Sequence, residues 1–299
     1  MLTGKHVVFL GGDARQLEVI KSCLEWNARV SCIGFDNLQT PPSEAAIREF
    51  RTSVLETADI LVLPIVGTDD EGKINSVFTS KKLVLQEEHL KAVPSHCLVF
   101  TGMARPYLRD LCKQFDLTLV ELLSRDDIAI YNSIPTVEGA LMMAIQHTDI
   151  TIHGSQSIVL GLGRVGLSLA RALDAIGANV HVGVLTHAQY ARAFEMGLNP
   201  FYSKDLVKYA KEADLIFNTV PARIVTDQIL RHVPHDVVII DLASKPGGVD
   251  FDYAKKRGIK AILTPSLPGV VAPKTAGQIL AKTMAEVMLD EWAKGGVSS

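Results

Sequence analysis

Short apolar runs alternate with segments of helical period along the whole chain. In the first half the runs are Val7–Leu10, Val30–Gly34, Ile60–Leu63, Leu98–Phe100 and Leu117–Val120, each predicted as a strand. Between the first two, Ala14–Trp26 places Leu17, Val19, Ile20, Cys23 and Leu24 at helical spacing. A second alternation begins at residue 157, with strands expected at Ile158–Leu160, Val180–Val184, Leu215–Asn218, Val237–Asp241 and Ala261–Leu263. Strands that alternate with helices imply parallel α/β sheets. Pro41-Pro42 and the stretch Gly67–Gly72 read as loops.

Two helices complete the pattern. Pro135 to Ile145 reads as a connecting helix, with Pro135 in its first turn and Glu138 complementing the dipole there. Thr275 to Ala293 sets Ile279, Leu280, Met284, Val287 and Met288 on a broad apolar face. The expected architecture is two Rossmann-like parallel-sheet domains with a cleft between them. Residues 1–132 form the first, and the connecting helix and second sheet occupy 133–274. Ligands commonly bind in such a cleft.

The second alternation opens on Ser157-Ile-Val-Leu-Gly161-Leu-Gly163-Arg164-Val165-Gly166, three glycines at G-x-G-x-x-G spacing between a strand and a helix. Gly161 permits the tight turn, Gly163 lets a diphosphate approach the backbone, and Gly166 allows the helix to pack on the strand. Free N–H groups and the positive dipole end of that helix then hold the diphosphate. The strand, helix and second strand the motif needs are all in register, so the reading is a dinucleotide site.

Composition narrows the class. The chain has 299 residues, 47% of them hydrophobic, and a formal net charge of −3. It is globular, with room for two cores and no electrostatic reason to bind nucleic acid or an anionic membrane. No uninterrupted apolar run approaches the ~18 residues of a transmembrane helix, and the N-terminus has no signal-peptide plan. Cys23, Cys32, Cys97 and Cys112 lack C-x-x-C spacing, which favours buried free thiols of a cytosolic protein. The nine histidines form no ligand pattern, so no metal site is expected.

The loops at the strand ends carry the chemistry. Asn218-Thr219-Val220-Pro221, Asp241-Leu242-Ala243-Ser-Lys245-Pro-Gly-Gly248 and Thr264-Pro-Ser-Leu-Pro-Gly269 follow three consecutive strands. In a parallel sheet those ends face the ligand. From Asp241 to Gly277 there is no histidine, and the cation after the Asp241 strand is Lys245 rather than arginine. Hydroxy-acid dehydrogenases usually need both a histidine acid/base and an arginine, which counts against them. The first domain has its own glycine turn, Gly11-Gly-Asp-Ala-Arg15-Gln16. Either a small anion sits at that helix N-terminus beside Arg15, or Arg15 is a surface cation in an ordinary turn. Thr101-Gly102 ends another strand of this domain and could add donors.

Several blocks together resemble the dipicolinate synthase A-subunit family of spore-forming bacteria, the dipicolinic acid synthetase A family. They are Gly11–Gln16, Arg125–Gly139, the stretch His147–Gly166, Asp241–Gly248 and Leu267–Leu280, spread over nearly the whole chain. The resemblance implies a substrate-side first domain, an NADP-binding Rossmann domain and a C-terminal helix, 275–294, that returns to the first domain. That arrangement is similar to the formate/glycerate dehydrogenase type. It implies NADP-dependent oxidation of dihydrodipicolinate to dipicolinate, together with the second dipicolinate synthase subunit, in the mother-cell cytoplasm during sporulation. A homo-oligomer is also expected. Making the ring aromatic is strongly favoured, so positioning and two carboxylate contacts matter more than a strong base. Arg15, Lys245 and Lys274 are the candidates for those carboxylates, each with a structural or solvent-exposed role as the alternative.

The cofactor-binding residues expected are Gly161, Gly163, Arg164, Val165, Gly166, Thr186, His187, Thr219, Val220, Pro221, Leu242 and Ala243. One position departs from the family pattern. NADP-preferring relatives place an arginine just beyond Val-Gly at the end of the second Rossmann strand, where this chain reads Val182-Gly-Val-Leu185-Thr186-His187. No acidic residue lies between Asp174 and Glu195, so the stretch does not argue for NAD either. Thr186 and His187, with Arg192 further on, are the donors expected for a 2′-phosphate. Protonation of His187 would then strengthen NADP preference at lower pH. Two other readings compete: a nucleotide-binding scaffold whose chemistry needs a partner, and another amino- or hydroxy-acid dehydrogenase.

Overall fold

A computed structural model describes residues 1–40 and 42–295. Pro41, half of the Pro41-Pro42 pair expected in a loop, lies outside the described residues, as do 296–299. The chain divides into two compact units, Met1–Tyr131 with the segment from Ala272 onward, and Asn132–Val271.

The first unit holds β1 (His6–Leu10), β2 (Arg29–Ile33), β3 (Ala45–Arg48), β4 (Ile60–Val62), β5 (Lys73–Ile74), β6 (Leu83–Val84), β7 (Leu98–Thr101) and β8 (Thr118–Glu121). Six of them make a sheet in the order β3-β2-β1-β4-β7-β8, all parallel, while β5 and β6 form a separate antiparallel pair. β1 is buried throughout and feeds two cores in alternation. Val7 and Phe9 enter one apolar layer, and Val8 and Leu10 the other. The first layer is completed by the Pro273–Gly295 helix through Leu280, Ala281, Met284, Val287 and Met288. That helix packs on the Ala14–Glu25 helix so closely that a Cβ on Gly277 would lie 2.4 Å from the Arg15 carbonyl oxygen.

β3 is not predicted by the sequence pattern. Ala45-Ala-Ile-Arg48 has no strand-like composition, but its pairing with β2, Val30 opposite Ala45 through Ile33 opposite Arg48, overrides local preference. All four cysteines are free and buried. Burial pushes the thiols of Cys23, Cys32 and Cys97 up to about 12 and that of Cys112 up to about 11, which leaves them unreactive.

The second unit holds β9 (Gln156–Leu160), β10 (Asn179–Val184), β11 (Asn199–Tyr202), β12 (Leu215–Asn218), β13 (Val238–Asp241) and β14 (Lys260–Leu263). Their order is β11-β10-β9-β12-β13-β14, again all parallel and again the doubly wound pattern. β11 is the second strand absent from the sequence expectation. It contains Pro200, which lacks an N–H and so is tolerated only where the sheet ends. Register aligns the strand ends: Gly183 pairs with Leu160, Leu160 with Asn218, Asn218 with Asp241, and Asp241 with Leu263.

The connecting helix differs from expectation. It runs Asp126–His147, so Pro135 and Glu138 lie in its interior, and Asp126 and Asp127 occupy the first turn instead. Proline in that position removes a hydrogen bond to the preceding turn. At the next residue, the Thr136 hydroxyl donates to the Asn132 carbonyl at 2.7 Å, and Val137, Ala140 and Ala144 bury themselves in the second unit's core. Tertiary packing therefore carries the helix through the proline. Among the described residues this is the one helix long and apolar enough to cross a membrane, with a mean hydropathy of 1.3. The end of the expected loop Thr264–Gly269 is also helical, in a short helix spanning Leu267–Val271.

Candidate functional site

The row of strand ends in the second unit is where the chemistry-bearing segments converge. β9 runs into Gly161, whose φ of +95° is a left-handed conformation that glycine adopts without strain. A Cβ on Gly161 would meet the Thr219 hydroxyl at 2.7 Å, and one on Gly166 would lie 2.1 Å from the Gly161 carbonyl oxygen. These two glycines are therefore set by packing. Gly163 differs, since a Cβ there would have nothing within 4 Å. It is the N-cap of the Arg164–Ala175 helix, and no side chain caps that end. The start of the helix thus has open space beside a residue with no side chain. This fits a diphosphate group, and Arg164 and Val165 begin the turn that would hold it.

Thr219 and Val220 border this turn. The Thr219 backbone N–H and hydroxyl both donate to the Leu160 carbonyl, at 3.0 and 2.8 Å. Behind them lies a fully buried pair that the sequence shows only as two loop ends. Asn218 Nδ2 donates to Asp241 Oδ1 at 2.8 Å and to the Val220 carbonyl at 3.1 Å, while Asn218 Oδ1 accepts from the Val220 N–H. Asp241 also accepts from the N–H groups of Ala243 and Gly248, at 3.0 and 2.6 Å. Each side chain is 0% exposed. The pair locks Thr219–Pro221 and Leu242–Gly248 to one another. Its one sequence signal is that two neighbouring apolar runs both end in a polar residue.

At the end of β10, Leu185 is 70% exposed where the family pattern expects an arginine. Thr186 caps the His187–Glu195 helix, accepting from the Gln189 N–H at 3.2 Å, and Gln189 Oε1 reaches back to the N–H groups of Leu185 and Thr186. His187 Nδ1 lies 2.5 Å from the Tyr202 hydroxyl. Arg192 is not with them: it pairs with Glu195 at 3.1 Å and lines a groove with Arg171 and Asp174. Arg192, expected as a further donor at this end of β10, makes no hydrogen bond or ion pair with Thr186 or His187 among the described residues; its pair with Glu195 is solvent-exposed.

The substrate-side candidates occupy different environments. Lys245 and Lys274 are exposed, and neither forms an ion pair among the described residues. Arg15 is 7% exposed and is gripped by Asp13, Nε to Oδ1 at 3.0 Å and Nη2 to Oδ2 at 2.6 Å. Burial would raise the Asp13 carboxyl, but the Arg15 hydrogen bonds and charge overcome it and hold the group below its usual range. Asp13 also caps the Ala14–Glu25 helix in a capping box with Gln16, and the Gly12 N–H donates to the Asn75 carbonyl. An anion expected at this turn thus meets a helix end already filled by the chain's own carboxylate. Thr101 turns inward, its hydroxyl donating to the Pro64 carbonyl at 2.7 Å.

Comparison with known proteins places this geometry. Residues 6–123 match the family of the dipicolinate synthase A-subunit N-terminal domain, and residues 136–298 match the alanine dehydrogenase/PNT C-terminal domain family. The dipicolinate synthase A-subunit of Bacillus subtilis is 47% identical over 99% of this chain and 100% of its own length. The crystal structure of the dipicolinate synthase A-subunit from Bacillus halodurans superposes with a TM-score of 0.93. It is 49% identical and covers 96% of this chain and 98% of that one. A transhydrogenase from Sinorhizobium meliloti has the same fold at 16% identity, with a TM-score of 0.67 over 95% of this chain and 94% of its own.

Proposed function

The chain belongs to the dipicolinate synthase A-subunit family, and from that premise we propose that it oxidises dihydrodipicolinate to dipicolinate with NADP as acceptor. The observation that carries the proposal is the open, uncapped helix end at Gly163, set by Gly161 and Gly166 beside Thr219. A nicotinamide dinucleotide bound there supplies a hydride acceptor. Removing a hydride from the dihydropyridine, with loss of one proton to water, leaves the aromatic dicarboxylate.

The chain's own residues then bind and orient. Gly161, Gly163, Arg164, Val165 and Gly166 hold the diphosphate. Thr219, Val220, Pro221, Leu242 and Ala243, held in place by the Asn218–Asp241 pair, border the rest of the cofactor. Thr186 and His187 serve the ribose end. Lys245 and Lys274 are the cations proposed for the substrate carboxylates. Arg15 joins them through the part of its guanidinium not engaged by Asp13. Membership of a family named for one of the synthase's subunits implies a partner, the other subunit. Homo-oligomeric assembly in the mother-cell cytoplasm completes the reading.

The experiment is turnover by the purified chain, supplied with NADP and chemically generated dihydrodipicolinate, with and without the second subunit. Formation of dipicolinate and NADPH by the chain alone supports the proposal. Dipicolinate that forms only once the second subunit has been added would favour the scaffold reading instead.

A further inference from the structure

The end of β10 lacks the arginine that usually meets a 2′-phosphate, and the structure offers a substitute from the neighbouring edge strand. Tyr202, the last residue of β11, carries three contacts. Its hydroxyl bonds His187 Nδ1, its ring stacks on Tyr190 at 5.1 Å, and Lys204 Nζ lies 5.6 Å from its ring centroid. Ser203 ties this turn to β10, its hydroxyl donating to the Val184 carbonyl at 3.2 Å. Lys204 is therefore anchored beside the strand end that meets the adenosine ribose in this fold. It is exposed and makes no ion pair among the described residues, whereas Arg192 is held by Glu195.

We infer that Lys204, together with His187 positioned by Tyr202, discriminates NADP from NAD in this protein. The inference rests on the NADP reading above and names the residues that would produce it. In the tautomer where the Tyr202 hydroxyl donates to Nδ1, the imidazole proton sits on Nε2, where it can be given to a phosphate oxygen. Lys204 adds the charge that His187 lacks when neutral, and the Tyr202 ring face holds the ammonium near that position. Both bind a charged phosphate more strongly than the plain ribose hydroxyl of NAD, so both act on the difference between the two cofactors.

The test is calorimetric titration of the full chain with NADP, NAD and 2′-AMP, on the parent, Lys204→Met, Lys204→Arg and Tyr202→Phe. Lys204→Met is expected to weaken NADP and 2′-AMP by about tenfold or more, the scale of one charge-assisted contact, and to leave NAD unchanged. Lys204→Arg should restore the preference, and Tyr202→Phe should lose part of it. Lys204 is exposed, so an unchanged melting temperature shows that a loss is not misfolding. If the parent prefers NADP and Lys204→Met keeps the same NADP-to-NAD ratio, the inference fails and the NADP reading stands. If the parent binds NAD as tightly as NADP, the NADP reading itself fails, and this inference with it.

Discussion

Three glycines within six residues do different work, and substitution separates them. Gly163 has a φ of −88° and open space around its absent side chain, so Gly163→Val alters little in the chain itself. The new side chain would occupy the open volume proposed for the diphosphate. We expect cofactor affinity to fall by about tenfold or more, with a change in stability of about 1 kcal/mol or less from the altered cap. Gly166→Ala is expected to cost stability as well, since its Cβ would collide with the Gly161 backbone and unsettle the fold. Calorimetry with NADP and thermal melts of both variants check this; tight binding by Gly163→Val would move the site elsewhere. Lys245→Met keeps bulk and removes charge. It should reduce kcat/KM for dihydrodipicolinate by roughly tenfold to a hundredfold while leaving cofactor affinity alone. Kinetics within about twofold of the parent would make Lys245 a surface cation.

At the scale of elements, what can be read from the sequence depends on how far burial runs along each segment. Central strands such as β1, β9, β12 and β13 are apolar on both faces and stand out as runs. The edge strands β3 and β11 owe their conformation to one neighbour, and their sequences carry alanine or proline instead. The glycine turn is legible because its backbone demands particular residues. The Asn218–Asp241 lock and the Tyr202–Lys204 cluster are not, because they depend on side-chain contacts made only in the folded chain. Arg15 shows the same limit: its helix start is visible in the sequence, but its grip on Asp13 is not.

One element makes a pH prediction. His181 on β10 packs against Tyr209, its Nδ1 is buried without a hydrogen-bond partner, and burial lowers its pKa despite the opposing charge of Glu212. A histidine depressed in the folded state binds its proton more readily when unfolded. Its contribution to stability is complete above the unfolded value of about 6.5 and is lost as pH falls below it. His6 on β1, lowered chiefly by burial, adds to the same trend. The melting temperature should therefore drop between about pH 7.5 and pH 5.5, and His181→Phe should make the drop shallower. Melts of the two proteins across that range decide it, and parallel curves would remove His181 from the account.

For the whole molecule, the two units repeat one strand order, yet they differ at the turn after the first strand. In the first unit that helix end is capped by Asp13 and Gln16 and covered by the backbone at Asn75. In the second it is open at Gly163. The same topology thus yields one closed turn and one able to receive a diphosphate, and only local residues tell them apart. If the proposed function holds, the open turn is where a nicotinamide cofactor binds to accept hydride from the dihydropyridine. The most direct measurement follows NADPH and dipicolinate together from the purified parent and from Gly163→Val, each with NADP and dihydrodipicolinate. The expected result is that the parent forms the two products in equal amounts and that the folded variant, at the same subsaturating NADP concentration, forms both about tenfold or more slowly. Dipicolinate made without NADPH, or made equally well by Gly163→Val, would contradict it.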